Sequence, residues 1–175
     1  MVIDEIKSLL KQYEFKIITE PDYERAMEVY NTNPQYFMLT DEKEATLEDM
    51  RTATNHVPPN FKIDNKFFIS IWEDDNCAGI LDFLVGYPEQ SCVWIGLLMI
   101  HGKMQGNRIG SQIANAVVEA SRNKGYTSVQ LGVLDNNIRA LKFWGKLGFE
   151  KIRESQVKRE VKPDWNVIVM EKRAV

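Results

Sequence analysis

The chain has 175 residues, 44 % of them hydrophobic, with 22 Lys plus Arg against 25 Asp plus Glu. That length gives one domain, residues 1–175, with enough chain to bury a real core. A formal charge of −3 supplies no field for a polyanion, so no nucleic-acid partner is expected. Cys77 and Cys92 are too few for a disulfide framework, and His56 and His101 have no ligand spacing, so no metal is expected. Asp4 and Glu5 interrupt the first apolar residues, and no apolar run approaches the roughly 20 residues of a membrane span. The expected setting is cytoplasmic, with no membrane partner.

Met1 to Gln12 reads as a short amphipathic helix, an extra N-terminal arm. Phe15, Ile17 and Thr19 alternate as a strand. Glu20-Pro21-Asp22 opens a helix whose apolar side is Ala26, Met27, Val29 and Tyr30, and Asn31-Thr32-Asn33-Pro34 ends it. Asp41 to Thr54 reads as a second helix with Ala45, Leu47 and Met50 inward, before a loop at Pro58-Pro59-Asn60. Phe67 to Trp72, Ala78 to Val85 and Cys92 to Ile100 read as an antiparallel meander, turned at Asp74-Asp75-Asn76 and Gly86-Tyr87-Pro88-Glu89. Ile109, Ile113, Ala116, Val117 and Ala120 share a helical face that stops at Lys124-Gly125. Val129 to Val133 is a strand, and Asn136 or Asn137 caps a helix running to about Lys146. Phe149 to Lys158 and Asn166 to Met170 are closing strands. This order implies a mixed, mostly antiparallel α/β sheet flanked by helices, with one parallel pair. Trp72, Trp94 and Trp165 read as sheet-packing residues.

The junction after Ile100 carries the chemistry. A buried strand runs into a glycine-bearing loop, His101 to Arg108, that opens a helix. The first turn of a helix has unpaired N–H groups and about half a positive charge, and Gly106 and Gly110 let a ligand approach the backbone. The arrangement suits a pyrophosphate. Close helix–strand packing at Gly110 is the other reading of that glycine.

Gln105-Gly106-Asn107-Arg108-Ile109-Gly110 resembles the Gln/Arg-x-x-Gly-x-Gly/Ala motif of the GNAT family of N-acetyltransferases. Asn137 to Phe149 resembles that family's Asn-x-x-Ala-x-x-x-aromatic-x-x-x-Gly-Phe helix. The two motifs stand in the right order, and the resemblance is strong from about residue 67 to 152, the cofactor-binding core. It implies an acyltransferase moving an acetyl group from acetyl-CoA to a primary amine by direct attack in a ternary complex. The acceptor would be a small-molecule or peptide amine. It further implies that the fourth and fifth strands splay apart, that the backbone of Leu98, Met99 and Ile100 bonds the pantetheine amides, and that Gln105, Gly106, Asn107, Arg108, Ile109, Gly110 and Ser111 carry the pyrophosphate. Asn137 would lie along the pantetheine arm and Trp144 near the thioester. Arg108 stands where the motif has a glycine, so it is either strained at positive φ with a charge near phosphate, or an outward, solvated side chain. Trp144 replaces a tyrosine proposed to protonate the leaving thiolate, which an indole cannot do.

The acetyl acceptor must lose a proton, and a carboxylate can take it. Asp82, alone in the apolar strand Ile80 to Val85, either faces the acceptor cleft or pairs with a basic neighbour. Tyr87 is the next candidate, with Glu89 and His101 behind it. Tyr30, Asn33, Tyr36 and Phe37 are read both as an aromatic acceptor pocket and as core. The N-terminal arm and the closing strands could serve a homodimer. Two other functions compete: a non-catalytic acyl-CoA-binding or regulatory module, and a dinucleotide-binding protein. The missing Gly-x-Gly-x-x-Gly spacing counts against the second.

Overall fold

The computed structural model describes residues 1–159 and 162–175. In chain order they form α1 (Val2–Leu9), β1 (Glu14–Ile17), α2 (Tyr23–Asn31), α3 (Pro34–Thr40), α4 (Leu47–Asn55), β2 (Lys66–Glu73), β3 (Asn76–Val85), β4 (Cys92–Ile100), α5 (Ile109–Asn123), β5 (Ser128–Leu134), α6 (Ile138–Lys146), β6 (Glu150–Val157) and β7 (Trp165–Arg173). The strands make one sheet in the order β1-β2-β3-β4-β5-β7-β6, antiparallel except where β4 meets β5. This is the expected mixed, mostly antiparallel α/β sheet with helices on both faces.

Strand alternation divides the apolar side chains between two cores. One face carries Ile69, Leu81, Phe83, Ile95 and Leu131 against α1, α5 and α6, with Ile113 and Val117 fully buried. The other carries Phe68, Trp72, Ile80 and Met99 against Met27, Val29 and Tyr30 of α2, Phe37 of α3 and Met50 of α4. Each such large apolar side chain contributes about 1.5–3 kcal/mol on burial. Cys77 and Cys92 are buried and unpaired. Among the described residues no helix is long and apolar enough to cross a membrane.

Three helical readings need correction. The segment expected as one helix over Asp41 to Thr54 begins only at Leu47, because Thr46 caps it. The Thr46 Oγ1 accepts from the Asp49 N–H at 3.3 Å, and an Asp49 oxygen accepts from the Thr46 N–H at 2.7 Å. Leu47, expected inward, is 49 % exposed, while Met50 is fully buried. The second miss is α3. Pro34 was read as closing α2, but it starts a new helix at the position where a missing N–H costs nothing. The N-terminal helix is shorter than expected and ends at Leu9. It lies on the chain's own α5: Glu5 accepts from Asn123 at 3.0 Å and pairs with Lys124 at 3.1 Å, and the Tyr13 hydroxyl donates to Gln112 at 2.9 Å.

Candidate functional site

The site begins where β4 and β5 part. Their parallel pairing runs only from Cys92↔Ser128 to Ile95↔Leu131, although β4 continues to Ile100 and β5 to Leu134. Against β3 the register shifts at the same place. Asp82 faces Leu97 and Phe83 faces Ile95, which leaves Gly96 as the extra residue of a bulge. A Cβ on Gly96 would stand 2.8 Å from Asp82 Oδ2, so the close approach of carboxylate and strand requires glycine. Beyond the bulge, Leu97 to Ile100 present toward β5 a backbone edge with no strand against it.

The chain then turns through a short 3-10 segment, Gly102–Met104, into α5. Gly106 has φ +84° and Arg108 φ +62°, a conformation glycine takes freely and arginine only at a cost of roughly 1–2 kcal/mol. The expected strain at Arg108 is therefore present, and its side chain is exposed. Among the described residues, none of the six backbone N–H groups from Gly106 to Ser111 has an acceptor, whereas the next, Gln112, bonds Arg108 O at 3.0 Å. Six open donors at a helix N-terminus make an anion cradle. Ile109 is buried in the core beneath it and Ser111 is half-buried. A Cβ on Gly110 would lie 3.4 Å from both Ile100 Cγ1 and Phe143 Cζ, in the gap between the end of β4 and α6.

Side chains brace this loop. Gln105 Nε2 donates to Asn33 Oδ1 at 2.8 Å and to Ile100 O at 3.0 Å, and Gln105 Oε1 accepts from Arg139 at 2.7 Å. Asn33 Nδ2 also donates to Ile100 O at 3.0 Å and to Val29 O at 2.8 Å. The Gly102 N–H donates to Thr32 Oγ1 at 2.8 Å. Thus Gln105 and Asn33 tie α2, β4 and α6 together, while Asn107 Nδ2 bonds only Met104 O within the loop. Asn137 caps α6, its Oδ1 accepting from the Ala140 N–H at 3.1 Å. Trp144 is 7 % exposed and sits in the core between Phe143 and Phe149, at ring distances of 4.9 and 5.1 Å.

On the face that bears α2–α4, Asp82 joins Lys66 of β2. The ammonium donates to both carboxylate oxygens, at 2.7 and 2.8 Å, and the two side chains are 15 % and 4 % exposed. Burial pushes the Asp82 carboxyl above its ordinary value even against the Lys66 charge. The basic neighbour expected on one reading of Asp82 is Lys66, and the pair lies on the α2–α4 face of the sheet. Tyr30 and Tyr36 come near it. Burial raises both phenols, with Asp82 contributing to each, and Tyr36 is pushed up to about 12 with Asp41 adding to the effect. Phe37 packs on Tyr30 at 4.7 Å and is buried, so it belongs to the core. Tyr87 lies in an aromatic row with Phe61 at 5.8 Å and Trp94 at 5.7 Å. Trp94 in turn reaches Gly132 of β5, whose Cβ would meet it at 3.4 Å.

Sequence reasoning did not single out Lys66, Gly96, Arg139 or Phe143. An isolated glycine within an apolar strand is a bulge signal, so Gly96 was findable. Lys66 and Arg139 act across strands and helices far apart in the chain, which no local pattern reveals.

Known proteins agree with this architecture. No curated sequence matches the chain. Among solved structures, an acetyltransferase from Thermus thermophilus is 22 % identical with a TM-score of 0.72, over 93 % of this chain and 97 % of its own. A spermidine N-acetyltransferase from Vibrio cholerae, in complex with CoA and spermine, is 14 % identical with a TM-score of 0.67, over 94 % and 96 %. A ribosomal-protein-alanine N-acetyltransferase from Brucella melitensis is 15 % identical with a TM-score of 0.63, over 91 % and 99 %. At these identities the likeness concerns the fold. The profile of the acetyltransferase (GNAT) family matches residues 5–149, most of the chain, and on that match the chain belongs to the GNAT acetyltransferase family.

Proposed function

We propose that this protein transfers an acetyl group from acetyl-CoA to a primary amine within a ternary complex. The observation that carries the reading is the run of six N–H groups without acceptors among the described residues, Gly106 to Ser111, beside a strand edge at Leu97 to Ile100 that β5 does not pair, with only the Ile100 carbonyl taken, by Asn33 and Gln105. Both fit coenzyme A: the helix-start donors suit its diphosphate, and the open edge suits its pantetheine amides. When bound, acetyl-CoA supplies a thioester carbon to which the amine nitrogen bonds as the carbon–sulfur bond breaks, giving an amide and a free thiol.

The chain's own residues divide the work. The backbone of Leu98, Met99 and Ile100 receives the pantetheine arm, and Asn137 offers the amide N–H groups its cap leaves free. Arg108 adds its charge at the diphosphate. Gln105 acts chiefly as a brace that fixes the loop. Asp82 is the better of the two candidate bases, because it faces the α2–α4 side next to Leu97 and its raised pKa suits a proton acceptor. Lys66 holds that carboxylate in place. Tyr87 is a wall residue, and Trp144, with no ionisable proton, packs beneath the site. The whole chain acts as one acetyltransferase unit with its cofactor core at residues 67–152, in a cytoplasmic setting.

A non-catalytic acyl-CoA-binding module is the second reading, favoured by the commitment of Asp82 to Lys66. Two measurements decide. CoA at 100 times its dissociation constant should stabilise the protein by about 2.7 kcal/mol in a thermal shift. Acetyl-CoA with an amine panel should then release free thiol above the hydrolysis blank. No stabilisation overturns both readings, and stabilisation without thiol release selects the binding module.

A further inference from the structure

Arg159 is a largely buried charge at the corner where β7 meets the end of α3. Its side chain is only 15 % exposed, and its guanidinium lies 4.6 Å over the ring of Trp165. Among the described residues its nearest carboxylate oxygen, Asp41 Oδ1, is 3.9 Å away, too far for a hydrogen bond. Among the described residues the guanidinium donates no hydrogen bond at all. Its backbone N–H alone is engaged, on Asp164 at 3.3 Å. A guanidinium carries five N–H donors in a planar fork that matches a carboxylate. Holding such a group largely out of water with its donors empty is costly unless an anion comes to it.

The surroundings place this fork at the end of α3, on the face of the sheet that α2–α4 cover. Trp165 shares its face of β7 with Val167, which would touch a Cβ on Gly132 at 2.8 Å together with Trp94. The indole N–H of Trp165 donates to Thr40 O at 3.1 Å, pinning β7 to the end of α3. Lys162 donates to Asp41 O at the same corner. Tyr36, one helix turn earlier, lies within the fields of both Asp41 and Asp82. The α3 end therefore links the cationic corner to the proton-accepting carboxylate.

We propose that Arg159, backed by Trp165, binds a carboxylate on the acetyl acceptor, so that the acceptor is an amino acid rather than a polyamine or a simple amine. The inference rests on the acetyltransfer reading above. Arg159 fixes the anionic end by a bidentate contact, and the amino group is thereby turned toward Asp82 and the edge of β4. A polyamine would bring a second positive charge to a corner that already sets Arg159 and Lys162 against the single nearby carboxylate of Asp41.

The test compares α-amino acids with their α-amides, and with spermidine, as acceptors for wild type, Arg159→Gln and Arg159→Lys, following free thiol. Wild type should prefer acids over amides by at least about tenfold in kcat/KM, the size of one charge-assisted contact. In Arg159→Gln that preference should collapse toward one, mainly through KM, and Arg159→Lys should keep part of it. A second readout needs no turnover. N-acetyl amino acids should raise the melting temperature of the CoA-loaded wild type more than N-acetyl amino amides do, and Arg159→Gln should lose the difference. Equal use of acids and amides, a preference for spermidine, or an equal loss with both in Arg159→Gln overturns the inference while leaving acetyltransfer standing. If CoA stabilises the protein but N-acetyl amino acids shift nothing further, the inference alone falls. If CoA itself has no effect, both fall.

Discussion

Gly110 sits where two surfaces nearly close. Its missing side chain leaves a gap bounded by Ile100 and Phe143, directly behind the open N–H groups of the first turn of α5. A Cβ there would be a tight but tolerable contact, while a longer side chain must occupy the space between β4 and α6. Gly110→Leu is therefore expected to keep its circular dichroism spectrum and a cooperative melt, yet show no stabilisation by CoA where wild type gains about 2.7 kcal/mol at 100 times the dissociation constant. Retained CoA affinity in that variant would refute the loop assignment. At this scale the sequence was partly legible. The glycine spacing and the helix face marked the cradle, and the strain at Arg108 follows from a non-glycine residue standing in a glycine position. What Gln105 does was not legible, because its partners Asn33, Ile100 and Arg139 come from three different elements.

The bulge in β4 is an arrangement of three residues on three strands: Lys66 on β2, Asp82 on β3 and Gly96 on β4. The ion pair is nearly out of solvent, so losing one partner strands the other. Lys66→Met should cost about 3–5 kcal/mol in urea unfolding, and the double change Lys66→Met with Asp82→Leu should cost less than either single change. The pH dependence has a definite sign. Asp82 has its folded pKa raised by burial, so its contribution is fully present below the unfolded value and is lost as pH rises through the folded one. Removing the Lys66 charge raises it further, so Lys66→Met should be less destabilised near pH 4 than at pH 7. Equal loss at both pH values would show that Asp82 is not the group left uncompensated. Strands β2 to β4 were legible from their apolar alternation and turn residues. The α3–α4 region was not, because Pro34 serves equally as a stop and a start, and the Thr46 cap competes with a run of polar residues that fit helix as well as loop.

Across the molecule, tyrosines are held on both faces of the sheet: Tyr13 in the core with α1 and α5, Tyr30 and Tyr36 in the core with α2 and α3. Burial raises Tyr13, Tyr30 and Tyr36, with Tyr36 reaching about 12. Groups with raised folded pKa values stabilise fully below their unfolded value near 10 and lose that contribution as pH climbs. An alkaline titration followed at the phenolate absorbance should show two steps, one centred near pH 10 and a later one that arrives together with loss of the folded circular dichroism. A single step centred near pH 10 that accounts for every tyrosine with the fold intact would contradict this packing. The overall architecture was readable because strand, loop and helix follow one another in the order of the cofactor core. The corner of Asp41, Trp165 and Arg159 was less so, since these residues meet only after the sheet has brought β7 beside β5.

The N-terminal arm has a further consequence through its place on α5. Tyr13 grips Gln112, the first residue of that helix with its own N–H satisfied, and Glu5 grips the opposite end at Asn123 and Lys124. The rod whose tip carries the open N–H groups is thus clamped at its front and its tail before any ligand arrives. The entropy of ordering the tip is lost at folding rather than at binding, so under the proposed function a flexible diphosphate would meet a preorganised receptor, and the association free energy would not be spent on stiffening it.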